Sequence, residues 1–172
     1  MANGDGGDFY ATRRTAAHKI ADKLKILHWR QEAHEHDRSK PLFGSKEPFA
    51  VGRVERRMKQ FAQENGIELA TSSLYMSEER LLHSIRSTKQ KVGKVVSDKD
   101  IANFPAHRYK MNLYWDSNAK NFIYQQGNNK FIVEPNREIK LSNGKVKRVM
   151  IVTIDRMKGT SHFNEPKYIK IK

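Results

Sequence analysis

Residues 81–94, LLHSIRSTKQKVGK, concentrate side chains that can hold and cleave a phosphodiester. His83 and Arg86 are three residues apart, a spacing that places them on one face of a helix. Histidine exchanges protons near neutral pH because its ordinary pKa is about 6.5, and arginine is a fork-shaped phosphate ligand. The cations that follow are Lys89, Lys91 and Lys94. This pattern predicts a catalytic group of His83, Arg86 and Lys89. The alternative is a solvated helix end whose basic residues complement the helix dipole.

A second group of polar side chains lies in residues 152–163, VTIDRMKGTSHF. Thr153 is predicted late in a strand, and Ser161 and His162 in the loop that follows. Loops beside a sheet often carry catalytic groups, so we predict that these three residues complete the site from the sheet side. The alternative is a glycine turn with solvated hydroxyl groups.

Basic and aromatic residues elsewhere are predicted to bind RNA. Tyr109 follows Arg108 directly, and aromatic rings in a basic setting can stack on bases. Tyr114 and Trp115 alternate along a predicted strand, so at least one of them is expected in the core. The full predicted RNA-binding set is Lys91, Lys94, Arg108, Tyr109, Arg53 and Arg57.

The sequence does not predict a metal or another cofactor. His34 and His36 are two residues apart, which is the wrong spacing for one helix face. The chain has no cysteine, no Walker A loop, no dinucleotide-binding glycine pattern, no HExxH and no GxSxG. It also lacks a cluster of carboxylates of the kind that holds magnesium in two-metal nucleases.

Phosphodiester cleavage without a metal favours RNA, because RNA carries its own nucleophile in the 2′-OH. A base removes the proton of that hydroxyl, a cation stabilises the phosphorane, and an acid protonates the departing 5′-oxygen. The products would be a 2′,3′-cyclic phosphate and a 5′-OH. DNA lacks the 2′-OH and is expected to resist.

The net charge also indicates an anionic partner. The chain has 33 lysines and arginines against 19 aspartates and glutamates, a net charge of +14 in 172 residues. So large a surplus favours nucleic acid first and a membrane surface second. A membrane partner needs a long apolar run or a strongly apolar helix face. The sequence has no such run, so we expect no membrane partner.

The pattern of apolar residues predicts an α+β fold with N-terminal helices packed on a roughly four-stranded antiparallel sheet. We expect a disordered linker over 1–10, a helical extension over 11–66 and an RNase-like domain over 67–172. The second helix is expected to begin at Pro48 and to end at Asn65-Gly66, with short helices capped by Ser77 and Ser97 and stopped at Pro105. The predicted strands are 111–116, 121–126, 130–135, 138–141, 145–154 and 167–171.

Residues 72–126 resemble the phage-associated branch of the barnase–EndoU–colicin–RelE-like (BECR) nucleases, which occur at the C-terminus of phage Mu F-like proteins and in polymorphic toxins. The resembling segments are LYMS, HSIRSTK, GKVVSDKDIANFP and YWD…NFIY. The resemblance implies helices followed by a four-stranded antiparallel sheet, and a metal-independent ribonuclease that is toxic and acts on tRNA or other RNA. His83 and Arg86 match basic positions of the motif, with Lys89 close by, and Thr153 matches a late-strand hydroxyl.

These observations predict a metal-independent endoribonuclease toxin domain acting in the cytoplasm of a target bacterium, after delivery by a phage particle or a secretion system. An acidic immunity protein is expected as a partner on electrostatic grounds. The main alternative is a non-catalytic, basic nucleic-acid-binding module of a phage structural protein, whose binding would weaken steeply with salt. An ADP-ribosyltransferase is disfavoured because the chain shows no convincing Arg…Ser-Thr-Ser…Glu series.

Overall fold

The computed structural model describes residues 4–86, 89–90 and 92–172, with side chains from residue 16 onward. Its helices are α1 (Gly4–His36), α2 (Arg56–Glu64), α3 (Glu78–Ser84) and α4 (Asp98–His107). Its strands are β1 (Phe49–Arg53), β2 (Ser73–Met76), β3 (Asn112–Asp116), β4 (Asn121–Gln126), β5 (Asn129–Leu141), β6 (Gly144–Arg156) and β7 (Tyr168–Ile171). Short 3₁₀ turns cover Arg108–Lys110 and Ser161–Asn164. The predicted α+β class is confirmed.

The strands form one seven-stranded mixed sheet in the order β1-β2-β6-β5-β4-β3-β7. The β2–β6 pair is parallel, with Leu74 opposite Val149 and Tyr75 opposite Met150, and the other pairs are antiparallel. The predicted sheet of four antiparallel strands therefore had too few strands and lacked the parallel pair. Strands β1 and β2, which were not among the predicted strands, come from the N-terminal half of the chain.

Strand β1 corrects the prediction of a helix from Pro48. Phe49 pairs with Met76 and Arg53 with Ser73, so this segment is the sheet edge next to β2. Gly52 has a φ of 151°, which only glycine adopts readily and which no helix contains. Helix α2 begins only at Arg56, and it ends as predicted, with Gly66 in the left-handed region at φ 65°.

Other local predictions have mixed outcomes. Ser77 accepts a hydrogen bond from the backbone N–H of Arg80, and Ser97 from that of Asp100, so both predicted N-caps are confirmed. Pro105 does not stop α4, which continues to His107. The proline lacks an N–H donor, but it is buried beside Phe104, and this packing holds the last turn in place.

The N-terminal segments belong to the same core as the sheet. Ile20, Leu24 and Leu27 of α1 are buried together with core residues of the strands. The predicted helical extension, residues 11–66, is not helical throughout, because β1 lies within it. Helix α1 begins at Gly4, inside the segment predicted as a disordered linker. In the described part of the chain, no helix is long and apolar enough to cross a bilayer.

The two faces of the sheet differ. On the helical face, Phe104 of α4 packs on Tyr124 and Phe131 with ring centroids 5.3 and 4.3 Å apart. Residues directly opposite each other share a face, so one continuous row crosses the other face. It consists of Tyr114, Ile123, Ile132 and Thr153. Phe163 stacks on Tyr114 there, at 4.6 Å between ring centroids.

Candidate functional site

Helix α3 and the chain after it cover the edge of β6 that β2 leaves open. Strand β2 pairs with β6 only at residues 149 and 150. Farther along β6, Arg80 Nη1 donates to the carbonyl of Val152 at 3.4 Å, and Lys89 Nζ donates to that of Ile154 at 3.1 Å. The backbone N–H of Arg156 donates to the carbonyl of Lys94 at 3.1 Å. These contacts satisfy strand groups that would otherwise lack partners, and they place α3, the helix that carries His83, at the sheet edge.

His83 is exposed in the last turn of α3, on an element held firmly from the other side. Ser77 caps the helix, and Glu78 and Glu79 in its first turn suit the helix dipole. Leu81 is fully buried and Leu82 nearly so. The backbone beneath the imidazole is therefore anchored in the core while the ring faces solvent.

The surroundings of His83 favour its neutral form. Partial burial lowers the pKa of the His83 imidazole, and the positive charges of Arg86 and Arg80 lower it further. Glu79 opposes this shift, and Lys89 adds a smaller effect in the same direction as the arginines. His83 is therefore largely uncharged at neutral pH and able to accept a proton. Arg80 was not among the predicted site residues, although its place three residues before His83 could have indicated it.

Lys89 is engaged with the protein itself. Besides the carbonyl of Ile154, its ammonium group lies 3.5 Å from Asp155 Oδ1, and its side chain is 18% exposed. This arrangement ties the segment after α3 to the end of β6. We therefore assign Lys89 to positioning that segment. Arg86, by contrast, is exposed and lies beyond the end of α3 at Ser84, so the prediction that it shares a helix face with His83 was wrong.

The other predicted catalytic residues are not all brought together. Thr153 is half-buried on β6, between the two residues whose carbonyls bind Arg80 and Lys89. Ser161 is exposed, and His162 packs against Phe163 and Tyr168 at 4.3 and 5.9 Å. Phe163 covers Tyr114 on β3, three strand spacings of about 4.8 Å from Thr153. The contacts of His162 are thus those of a packing residue over β3.

Two predicted RNA-binding arginines lie in a buried network. Arg57 Nε and Nη2 each donate to the carboxylate of Glu55 at 3.0 Å, and Arg57 also donates to the carbonyls of Met111 and Arg108. The hydroxyl of Tyr124 donates to the same carboxylate. Burial raises the pKa of Tyr124, and the charge of Glu55 raises it further. Tyr124 therefore remains a hydrogen-bond donor. The contacts of Arg57 are structural.

Arg108 is also internal, with 2% of its surface exposed. Its Nη2 donates to the Tyr109 hydroxyl at 2.9 Å, and its guanidinium lies against Gly52, where a Cβ would come within 3.0 Å of Nη2. This close approach and the φ of 151° both favour a glycine in β1. Tyr109 is 43% exposed, and Arg53 and Lys94 are exposed. Lys91 lies outside the described residues.

The shifted pKa of His83 predicts a pH dependence. If His83 acts as a base, kcat/KM for RNA should rise with pH through a pKa below 6.5 and then level off. Arg86→Ala removes a charge that lowers this pKa, so its acid limb should move to higher pH. Glu79→Gln is the matched opposite, because it removes a charge that raises the pKa, and its limb should move to lower pH.

An NMR titration of the His83 ring measures the same shifts without relying on activity. Opposite displacements in the two variants are the expected result. Equal titration curves for the wild type and both variants would show that these charges do not act on His83.

Among the described residues, no group of three or more histidines, aspartates or glutamates is arranged to hold a metal ion. His28 instead pairs with Asp98, with Nε2 3.1 Å from a carboxylate oxygen. No protein-family model, curated protein or solved structure matches this chain.

Proposed function

We propose that this chain is a metal-independent endoribonuclease toxin domain of the BECR type that cleaves RNA, with tRNA as the expected substrate. One observation carries the proposal: an exposed imidazole, kept neutral by partial burial and by Arg86 and Arg80, lies on a rigid helix at a sheet edge. Transesterification of RNA requires a neutral base with cations nearby.

In the proposed reaction, His83 takes the proton of the 2′-OH. The 2′-oxygen then forms its bond to phosphorus while the bond from phosphorus to the 5′-oxygen breaks. Arg86 stabilises the charge that develops on the phosphorane oxygens, and Arg80 adds to the positive field at the same edge. The departing 5′-oxygen, on the far side of phosphorus, takes a proton from water, and the imidazolium of His83 returns its own proton to solvent. The products carry a 2′,3′-cyclic phosphate and a 5′-OH.

The proposal includes the biological setting. A toxin of this kind acts in the cytoplasm of a target bacterium after delivery by a phage particle or a secretion system. The producing cell then needs an inhibitor, and a net charge of +14 favours an acidic immunity protein.

A second candidate function is a non-catalytic module that binds nucleic acid. The same net charge favours it. Arg80 and Lys89 also favour it, because each already donates to a backbone carbonyl of β6 and is engaged in the fold. Such a module would bind RNA and DNA alike, and its affinity would fall steeply with salt.

The test is incubation of the purified protein with bacterial RNA in EDTA, followed by end-group analysis. Discrete fragments with cyclic phosphate ends are expected. An oligonucleotide with a single 2′-deoxyribose at the mapped position should remain intact, because the nucleophile is missing. RNA that is shifted on a gel but not cut, with the shift lost at high salt, would favour the binding module and contradict the ribonuclease.

A further inference from the structure

The outer half of the β5–β6 hairpin has a strongly basic face. In the register of this hairpin, Glu138 lies opposite Lys147 and Lys140 opposite Lys145. Directly opposed residues share a face, and the side chains of all four are exposed. We call Lys140, Lys145 and Lys147, with Glu138 among them, the lysine face.

The lysine face carries more positive charge than the hairpin itself can balance. Lys140 and Lys145 are a directly opposed pair of like charges, which destabilises a hairpin. The carboxylate of Glu138 is 3.7 Å from Lys145, and it is the one carboxylate among the three lysines of this face. On the opposite face, Arg137 pairs with Glu134 at 3.2 Å and Arg148 lies over the ring of Tyr75. The cations of that face have partners within the protein.

A polar groove adjoins the lysine face. Its volume is about 630 Å³, and it lies between the loop of residues 44–47 and the hairpin turn of residues 140–143. Lys46 and Lys140 line it from the two sides, together with one acidic residue, Glu47. The hydrogen-bonding side chains that complete the lining are Ser45, Ser142 and Asn143. Such groups suit phosphate oxygens and ribose hydroxyls.

The groove is connected to the proposed catalytic helix. The backbone N–H groups of Gly44 and Ser45 both donate to Glu78 Oε2 at 2.8 Å, and Lys23 Nζ lies 3.4 Å from the other oxygen. Burial raises the pKa of Glu78, but the hydrogen bonds from Ser45 and Gly44 outweigh it and leave that pKa below its usual value. The carboxylate is therefore ionised at neutral pH and holds the loop.

Glu78 is the first residue of α3, and His83 lies in its last turn. Five residues of helix span about 7.5 Å. The groove and the proposed base are thus attached to opposite ends of one short, rigid element. One side of the groove is therefore held at the first turn of the helix that carries His83 in its last turn.

We infer that the lysine face and the groove beside it bind the phosphate backbone of RNA near the bond to be cleaved. The identity of the ligand as substrate rests on the proposed function, whereas binding of RNA at this surface does not require cleavage. Protein interfaces usually have an apolar, aromatic centre, and of the eight residues lining the groove only Leu141 is apolar. This composition favours RNA over an acidic protein.

The test uses the triple variant Lys46→Ala/Lys140→Ala/Lys145→Ala in a His83→Ala background, which prevents cleavage during titration. The matched control, Lys25→Ala/Lys59→Ala/Lys172→Ala, removes the same charge from exposed lysines elsewhere. Binding of a short fluorescent RNA is measured at several salt concentrations. Loss of three phosphate contacts should raise Kd by about 10- to 100-fold and reduce the log–log salt slope by about 2. The control should change Kd by less than about threefold.

Equal weakening by the two triple variants would overturn the inference, because net charge alone would then explain binding. Polyglutamate serves as a model of an acidic protein. If the groove variant lost affinity for polyglutamate and for RNA equally, the surface would fit an acidic protein and the inference would be overturned. A selective loss of RNA binding by a protein that does not cut RNA would support the surface and contradict the ribonuclease. If the groove variant with His83 intact cut RNA with unaltered Kd and KM, the result would support the ribonuclease and contradict the RNA-binding surface.

Discussion

Replacing His83 by alanine is expected to lower the rate of RNA cleavage by about 10²- to 10⁴-fold, the usual contribution of a general base. The folded state should hardly change, because the ring of His83 is exposed while Leu81 and Leu82 hold the helix in the core. We expect Tm to stay within about 2 °C of the wild-type value. Single-turnover cleavage of a labelled RNA and thermal unfolding measure the two effects.

His18→Ala is the control for this prediction, since His18 is an exposed histidine of α1. It should leave both cleavage and Tm unaltered. Affinity for RNA in EDTA should also persist in His83→Ala, because the imidazole contributes little charge at neutral pH. A fully active His83→Ala protein would show that the site lies elsewhere. A large fall in Tm would mean that His83 supports the fold.

Replacing Glu55 by alanine is expected to cost about 3–5 kcal/mol of unfolding free energy, the range found when one partner of a buried ion pair is removed. The carboxylate of Glu55 is 4% exposed and accepts hydrogen bonds from Arg57 and Tyr124. Its loss would leave the Arg57 guanidinium partly buried without a counter-charge. We expect Tm to fall by roughly 6–20 °C, measured together with urea-induced unfolding.

Two further variants separate this network from surface charge. Tyr124→Phe removes only one hydrogen bond to the same carboxylate and should cost about 1–2 kcal/mol. Arg53→Ala, at an exposed position of β1, should cost less than about 0.5 kcal/mol. If Glu55→Ala unfolded within 1 kcal/mol of the wild type, the network would not be a main support of the fold. Arg57→Ala should likewise lower the free energy of unfolding, and it should leave the salt dependence of RNA binding nearly unaltered.

Local sequence determined much of the secondary structure. The caps at Ser77 and Ser97 formed as predicted because a short polar side chain satisfies a free N–H without help from the rest of the chain. The predicted strand of residues 121–126 was also correct, and so was the break between the predicted strands 138–141 and 145–154, where residues 142–143 form the hairpin turn. The sequence placed His83 at the end of a short helix as well, since carboxylates precede it and leucines lie beside it.

Tertiary structure decided the features that depend on contacts between distant segments. Val51 is buried in β1 and Val54 in the segment just after it. The same apolar spacing equally fits a helix, so β1 was recognisable only through its pairing with β2. The long strand β5 was predicted as two strands, because Pro135 and Asn136 form an irregularity that pairing with β6 bridges.

The positions of the arginines show most clearly what the local sequence could not predict. Arginines are typical of RNA-binding surfaces. Inside this fold, however, Arg57 pairs with Glu55 near Tyr124, and Arg108 lies against Gly52. Charge is a property of the sequence, whereas the accessibility of a charge depends on which distant residue satisfies it. The sequence by itself therefore determined the overall basicity, the caps at Ser77 and Ser97 and the exposed histidine. The packing of the chain decided which cations remain available to an anionic partner.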